Sequence, residues 1–370
     1  MSRLAEKGAD AGRQREPGID LLRLLAMFFV LLLHSLGRGG VLEGAEPGSG
    51  MFRAAWALET LALCGVDVFA LISGYVSWSE EPRRTKLSSW LLLWLQVVFY
   101  GLAVALLFRL LLPHHTTAAG LLPMLLPVKN GLYWYFTAYT GLILIKPVLD
   151  LGLRAMPDRT ARLLFAAIIL GFSVYEALFQ RFVLNGGYSF AWIALLYLMG
   201  GIVKKCRLGQ RLRTRTAILL IALLWAVSWL WRLYGDALPG PRAGVLVSYV
   251  SPSMLGSAVL ALVLFSRLKT GPSAAKIIGF AAPGAFAAYL INTHRDMWAY
   301  GLAFRFTYLL KWPVIVMVVT VVGFSLAFLI ASVLIDRLRQ MLFRLLRLRE
   351  AAQWAEERIR RCVGRVMELF

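Results

Sequence analysis

Within residues 18–37, GIDLLRLLAMFFVLLLHSLG, Arg23 and His34 stand eleven residues apart in an otherwise apolar run. On a helix that interval falls about 20° past three full turns, so both side chains share one face, about 16 Å apart along the axis. Asp20 lies one turn before Arg23, the spacing at which a carboxylate pairs with a guanidinium and fixes its direction. A guanidinium stays charged and grips phosphate oxygens, while a neutral imidazole takes a proton from a hydroxyl. Ionisable groups inside a bilayer are costly and mark function by default. The competing reading has Arg23 reaching back to headgroups and His34 resting in the opposite interface.

These residues need elements to carry them. Hydrophobic residues make up 59% of the 370-residue chain, charged residues only 16%, and the mean hydropathy is +0.68. Such values belong to a polytopic membrane protein. Ten apolar stretches approach the length that spans a bilayer: 19–36, 56–78, 88–112, 132–149, 161–180, 188–203, 216–234, 245–266, 277–293 and 312–335. Helices are expected because an open strand leaves its backbone unsatisfied in lipid. The sequence thus predicts an all-α bundle of about ten transmembrane helices.

The basic residues give the bundle a direction. With the N-terminus inside, 28 of the 40 Lys and Arg fall on the inner side, eight on the outer side and four within spans. Cytoplasmic loops collect positive charge in this way. The +20 net charge is thereby accounted for without nucleic acid. Residues 1–17 are expected to form a cytoplasmic tail, 18–336 the membrane domain, and 337–370 a basic amphipathic helix along the cytoplasmic surface. Cys64, Cys206 and Cys362 are far apart and show no metal-ligand spacing. His114 and His115 are adjacent, without further ligands, so no metal site is expected.

The Arg-x10-His arrangement in GIDLLRLLAMFFVLLLH resembles the first helix of the membrane-bound acyltransferase 3 family. DVFALISGYVSW (67–78), YWYFTAYTGLILIKPVLD (133–150), NGGYSFAWIALLYLMGGIVKK (185–205), YVSPSMLGSAVLALVLFSRLK and FAAYLINTHRDMW continue the resemblance in order, over about 18–335. It implies transfer of an acyl group, often acetyl from cytosolic acyl-CoA, to a hydroxyl of a cell-envelope glycan or a related, for example lipid-linked, acceptor. It also implies a multi-pass protein of the bacterial cytoplasmic membrane, with acyl-CoA as substrate and no permanently bound cofactor. On that reading Arg23, with Arg83, Arg84 and Lys86, holds the donor phosphates, and His34 is the general base. An acyl-imidazole intermediate is a variant of the same step. Two positions depart from the family pattern. Lys86 stands where the basic pair after the second helix is often completed by arginine. Asn292 stands where related ninth helices often carry histidine, and His294 follows two positions on.

Asp67 lies mid-span and admits two readings, orienting the imidazole of His34 or pairing with Arg109, Lys146 or Arg232 to hold the bundle. Ser73, Gly74 and Tyr75 form either a turn near the donor or plain helix packing. Tyr133 and Trp134 open the fourth span on the outer side, as an aromatic belt or as a stacking surface for an acceptor. Tyr188, Asn292 and His294 lie near the same face and are candidates for the acceptor entrance. A transporter or flippase for a polysaccharide or small polar substrate is the alternative, since charged midplane residues also suit a substrate pathway.

Overall fold

The computed structural model describes residues 16–82, 84–113, 121–235 and 244–367; Arg83, His114, His115 and most of the expected N-terminal tail lie outside the described residues. Those described form helices and turns, with no strand among them. The helices of the bundle are α1 (Pro17–Gly37), α2 (Gly50–Ala62), α3 (Gly65–Ser77), α4 (Leu87–Leu111), α5 (Trp134–Ala155) and α6 (Asp158–Ala167). They continue as α7 (Phe190–Lys205), α8 (Thr214–Tyr234), α9 (Pro252–Ser266), α10 (Pro272–Ala281), α11 (Ala285–Asn292) and α12 (Val314–Leu345). A last helix, α13, covers Leu348–Met367.

Eight uninterrupted or merely kinked units among the described residues are long and apolar enough to cross a bilayer. α2 and α3 form one of them, Gly50–Ser77, and α10 and α11 form another, Pro272–Asn292. The two shorter helices α7 and α9 correspond to the remaining apolar stretches of the sequence. Side chains such as Leu110, Leu219 and Ile315 are 81%, 69% and 67% exposed, which in a bundle of this kind marks the face turned to lipid.

α1 occupies the middle of the bundle and contacts α2, α3, α9, α10, α11 and α12. Pro17 starts it, where a missing N–H costs nothing. Its beginning is tied to the basic loops: Lys204 Nζ donates to Glu16 Oε1 at 2.9 Å, and Gly18 lies against the carbonyl of Phe265. Its far end turns sharply at Gly40, whose φ of +87° is a left-handed conformation that suits glycine. There the Arg38 carbonyl accepts from Phe304 N–H at 3.0 Å. Arg23 and His34 are therefore fixed towards opposite ends of the bundle.

Two neighbours of the site pack with unusual closeness. A Cβ on Gly74 would stand 1.8 Å from the Tyr197 carbonyl oxygen, and one on Gly200 1.9 Å from that of Leu71. Only glycine permits this approach of α3 to α7, so Gly74 serves packing. The α10–α11 unit breaks at Ala282-Pro283-Gly284, where proline supplies no amide donor to the helix ladder.

The domain boundary expected after Asp336 falls inside α12, which runs on to Leu345. Asp336 is fully buried and keeps the helix going by anchoring it. It accepts from Tyr100 Oη on α4 at 2.9 Å, from Arg339 at 2.7 and 2.9 Å, and from Gln340 at 2.6 Å. The chain turns instead at Leu346–Arg347, with Arg347 at φ +50°. α13 then packs on α4.

The dock between α13 and α4 is a helix cap supplied from a distance. Glu356 Oε2 accepts from the Ser88 N–H at 2.9 Å, satisfying a free amide at the start of α4. Arg360 donates to Glu356 Oε1 at 2.7 Å and to the Thr85 carbonyl at 2.8 Å. Burial alone would raise the Glu356 pKa, but the hydrogen bonds from Ser88 and Arg360 outweigh it and lower the group from 4.5 to about 2. A depressed carboxylate stabilises the docked state above its free pKa, and that contribution is lost as pH falls through the docked one. Docking of α13 should thus be complete above about 4.5 and weaken towards about 2. The exposed Cys362 reports it: fluorophore anisotropy there should fall across that interval, and Glu356→Gln should lower it at neutral pH and remove the transition. A flat titration of the unaltered protein would contradict the cap.

Candidate active site

Two cavities lie along the face of α1 that carries Arg23 and His34. The first, on the side of the basic loops, has a volume of about 310 Å³ and is lined by Arg23, Ser73, Leu93, Tyr139 and Pro283, among others. The second, about 610 Å³, is lined by His34 and Glu59 with a shell of aromatic rings. Phe69, Tyr135 and Phe286 belong to the walls of both. The helical interval between Arg23 and His34 thus becomes two chambers with a common partition.

Arg23 is held as its spacing predicts: Nη1 donates to Asp20 Oδ1 at 2.5 Å, one turn back on α1. The pairing leaves the remaining guanidinium N–H groups for a ligand, since arginine has five donors in a fixed fork. The other expected donor contacts are further from the chamber. Arg84 and Lys86 are exposed on the loop between α3 and α4, and neither lines the cavity. Arg83 lies outside the described residues.

His34 sits in the last turn of α1, half-buried, with its ring fixed from two directions. Nδ1 lies 2.6 Å from Asn292 Oδ1, at the end of α11. The Trp298 ring meets the imidazole edge-to-face with centroids 4.8 Å apart. An amide oxygen accepts only, so this bond places the proton on Nδ1 and leaves the Nε2 lone pair available as a base. Trp298 is in turn anchored to α1, because Arg38 Nε donates to its carbonyl at 3.0 Å.

The structure gives Asp67 another partner than His34. Its carboxylate is fully buried and Oδ1 accepts from the indole N–H of Trp192 at 3.0 Å. The cations considered for Asp67 are also engaged or placed elsewhere. Lys146 pairs with Asp150 at 2.5 Å, the Arg232 guanidinium lies 4.1 Å from the Trp56 ring centroid, and Arg109 is exposed. Asp67 therefore ties α3 to α7, and the imidazole is oriented by an amide. His294 likewise stands apart from the cavity. Its Nδ1 accepts from Asp296 N–H at 3.2 Å, so Nε2 carries the proton and donates to the Gly101 carbonyl at 3.1 Å. One nitrogen closes the turn after α11 and the other ties that turn to α4.

The acceptor-side aromatics do converge. Tyr133, Trp134 and Tyr188 line the His34 cavity, joined by Tyr249 and Tyr289. Trp134 lies 4.7 Å from Tyr188 and stacks at 14° on Tyr249. Glu59 faces the same space, and its Oε2 and the Tyr133 hydroxyl are buried with no hydrogen-bond partner. Such orphaned atoms in a cavity wall are places for ligand hydroxyls. Glu59, one turn before the kink at Leu63–Cys64, meets His34 across this cavity, a pairing that no helical period signals. Trp298 sits in the π-helical turn Met297–Leu302 and Tyr249 in a turn before α9, where an α-helical period does not reveal the direction of a side chain.

A family model described as an acyltransferase domain, of the acyltransferase 3 type, matches residues 16–335. No curated protein and no solved structure matches the chain. The match covers most of the chain and contains both cavities, so the protein belongs to the acyltransferase 3 family and is a multi-pass membrane acyltransferase.

Asn292 fixes the His34 imidazole through Nδ1, and its loss is expected to appear in turnover before binding. Asn292→Ala should lower kcat of acyl transfer by about 10- to 100-fold with little change in KM, because a misdirected base slows the step without emptying the site. Asn292→Asp, which retains an acceptor for Nδ1–H, should keep more of the activity. Equal activity of Asn292→Ala and the unaltered protein would remove Asn292 from the site.

Proposed function

We propose that the protein moves an acyl group, acetyl in the simplest case, from acyl-CoA on the cytoplasmic side to a hydroxyl of a cell-envelope glycan or lipid-linked acceptor on the other side. The observation that carries this reading is the pair of chambers, one holding a phosphate-competent arginine and the other an oriented imidazole, about a pantetheine length apart. Positive charge gathered at the Arg23 end argues for that side as cytoplasmic, and the family resemblance for the bacterial inner membrane as its place.

In this reading Arg23 engages the donor phosphates where they meet the arm, while Arg84, Lys86 and Arg83 attract the nucleotide from the loop by charge. The arm runs along α1 and presents the thioester near His34. The acceptor enters among Trp134, Tyr188 and Tyr249, whose ring faces suit the apolar face of a sugar. Its hydroxyl gives its proton to His34 Nε2 as the oxygen attacks the thioester carbonyl. The C–S bond then breaks, an ester forms, and the departing thiolate takes the proton from the imidazolium to leave free CoA. Asn292 supports the charged imidazolium through Nδ1–H. A thioester is already activated, so one aligned base in a water-poor chamber supplies much of the rate.

His34→Ala should reduce transfer of label from acetyl-CoA to crude envelope glycan by at least about 10²–10⁴-fold, with the purified protein as monodisperse as before. Arg23→Ala should chiefly weaken the donor, raising its KM by about tenfold or more, in keeping with the loss of a charge-assisted contact. Transfer at the normal rate by His34→Ala, or an unchanged donor KM in Arg23→Ala, would overturn the respective assignment.

A further inference from the structure

Three aromatic residues line both chambers. Phe69 on α3, Tyr135 on α5 and Phe286 on α11 face the Arg23 chamber on one side and the His34 chamber on the other. Their rings form a connected set. Phe69 meets Tyr135 edge-to-face at 6.3 Å, Tyr135 meets Tyr289 at 6.4 Å, and Tyr289 stacks on Phe286 at 5.7 Å. A thread from the Arg23 chamber into the His34 chamber across this shared wall passes among them.

The partition is built from separable pieces. Phe286 follows the Ala282-Pro283-Gly284 break, so it sits on a short helix segment and not on a continuous rod. Ala282 and Pro283 line the Arg23 chamber, which places the break next to the wall it would move. Tyr135 adds a polar atom: its hydroxyl is buried without a hydrogen-bond partner, in a wall otherwise made of hydrocarbon. A buried donor left unpaired is unfavourable, and a passing amide would satisfy it.

We propose that Phe69, Tyr135 and Phe286 form an aromatic gate that the pantetheine arm of the donor must part. The Tyr135 hydroxyl bonds an amide of the arm, and the ring aperture limits the acyl chain to short ones. Between turnovers the closed rings separate the two sides of the membrane. The donor role rests on the function proposed above, whereas the partition itself does not.

The test therefore has two arms. In the full-length protein with Cys64, Cys206 and Cys362 replaced by alanine, Ser73→Cys reports the Arg23 chamber and Thr293→Cys the His34 chamber. A charged, membrane-impermeant thiol reagent added opposite the basic loops should label Thr293→Cys and spare Ser73→Cys. Adding Phe286→Ala should expose Ser73→Cys to it, and Phe69→Leu serves if that variant does not fold. Labelling of Ser73→Cys from that side with all three rings intact would overturn the partition, whatever the donor. In the second arm, Phe286→Ala should raise the rate with butyryl-CoA relative to acetyl-CoA by about tenfold. Tyr135→Phe should raise donor KM severalfold with kcat little changed. An unchanged chain-length ratio and an unchanged KM would overturn the donor role of the gate. No acyl-CoA-dependent transfer by the unaltered protein would overturn the donor reading itself, while the labelling arm still decides the partition.

Discussion

The structure is governed by the need to satisfy polar groups where no water reaches. α1 and the residue that caps it bring Asp20, Arg23, His34 and Arg38 into an apolar bundle, and each finds a partner on the protein. The solutions are local at one end and long-range at the other. Arg23 takes Asp20 from its own helix, while His34 is met by Asn292 on α11 and Arg38 by the Trp298 carbonyl. These bonds tie α1 to the last third of the chain. One of the neighbours that supply them, Trp298, also walls the His34 chamber, so part of the stability and part of the site geometry are the same contacts.

The same constraint separates structural polar residues from those left for chemistry. Asp67, Asp150, His294 and Asp336 are buried, and each is engaged by nearby donors or acceptors. They hold helix to helix. Glu59 and the hydroxyls of Tyr133 and Tyr135 carry atoms without a partner, as Asp67 does through Oδ2, but Glu59, Tyr133 and Tyr135 line the His34 cavity, where a ligand can reach them.

The first helix was legible in the sequence because its logic is one-dimensional. Spacing alone put Arg23 and His34 on one face, and loop charge alone gave their polarity. Membrane segments are read well from hydropathy for the same reason, and the resemblance over residues 18–335 coincides closely with the family match over 16–335. What the sequence did not reveal depends on contacts between segments far apart. Asn292 was noticed as a departure from a family pattern, yet its bond to His34 spans 258 residues and has no periodic signature. Asp67 was a reasonable partner for the imidazole by depth in the membrane. The kink at Leu63–Cys64 and the close α3–α7 packing turned it to Trp192 instead. Interrupted helices carry the rest: the α2–α3 kink, the Pro283 break and the π-turn bearing Trp298 each redirect a side chain.

The central claim is that donor and acceptor meet from opposite sides of the membrane along α1. Sided proteoliposomes test it most directly, with labelled acetyl-CoA confined to the side of the basic loops and glycan acceptor confined to the other. The account predicts label covalently on the glycan, with free CoA accumulating on the donor side, and none when donor and acceptor exchange sides. Transfer only when both are supplied on the same side would contradict it.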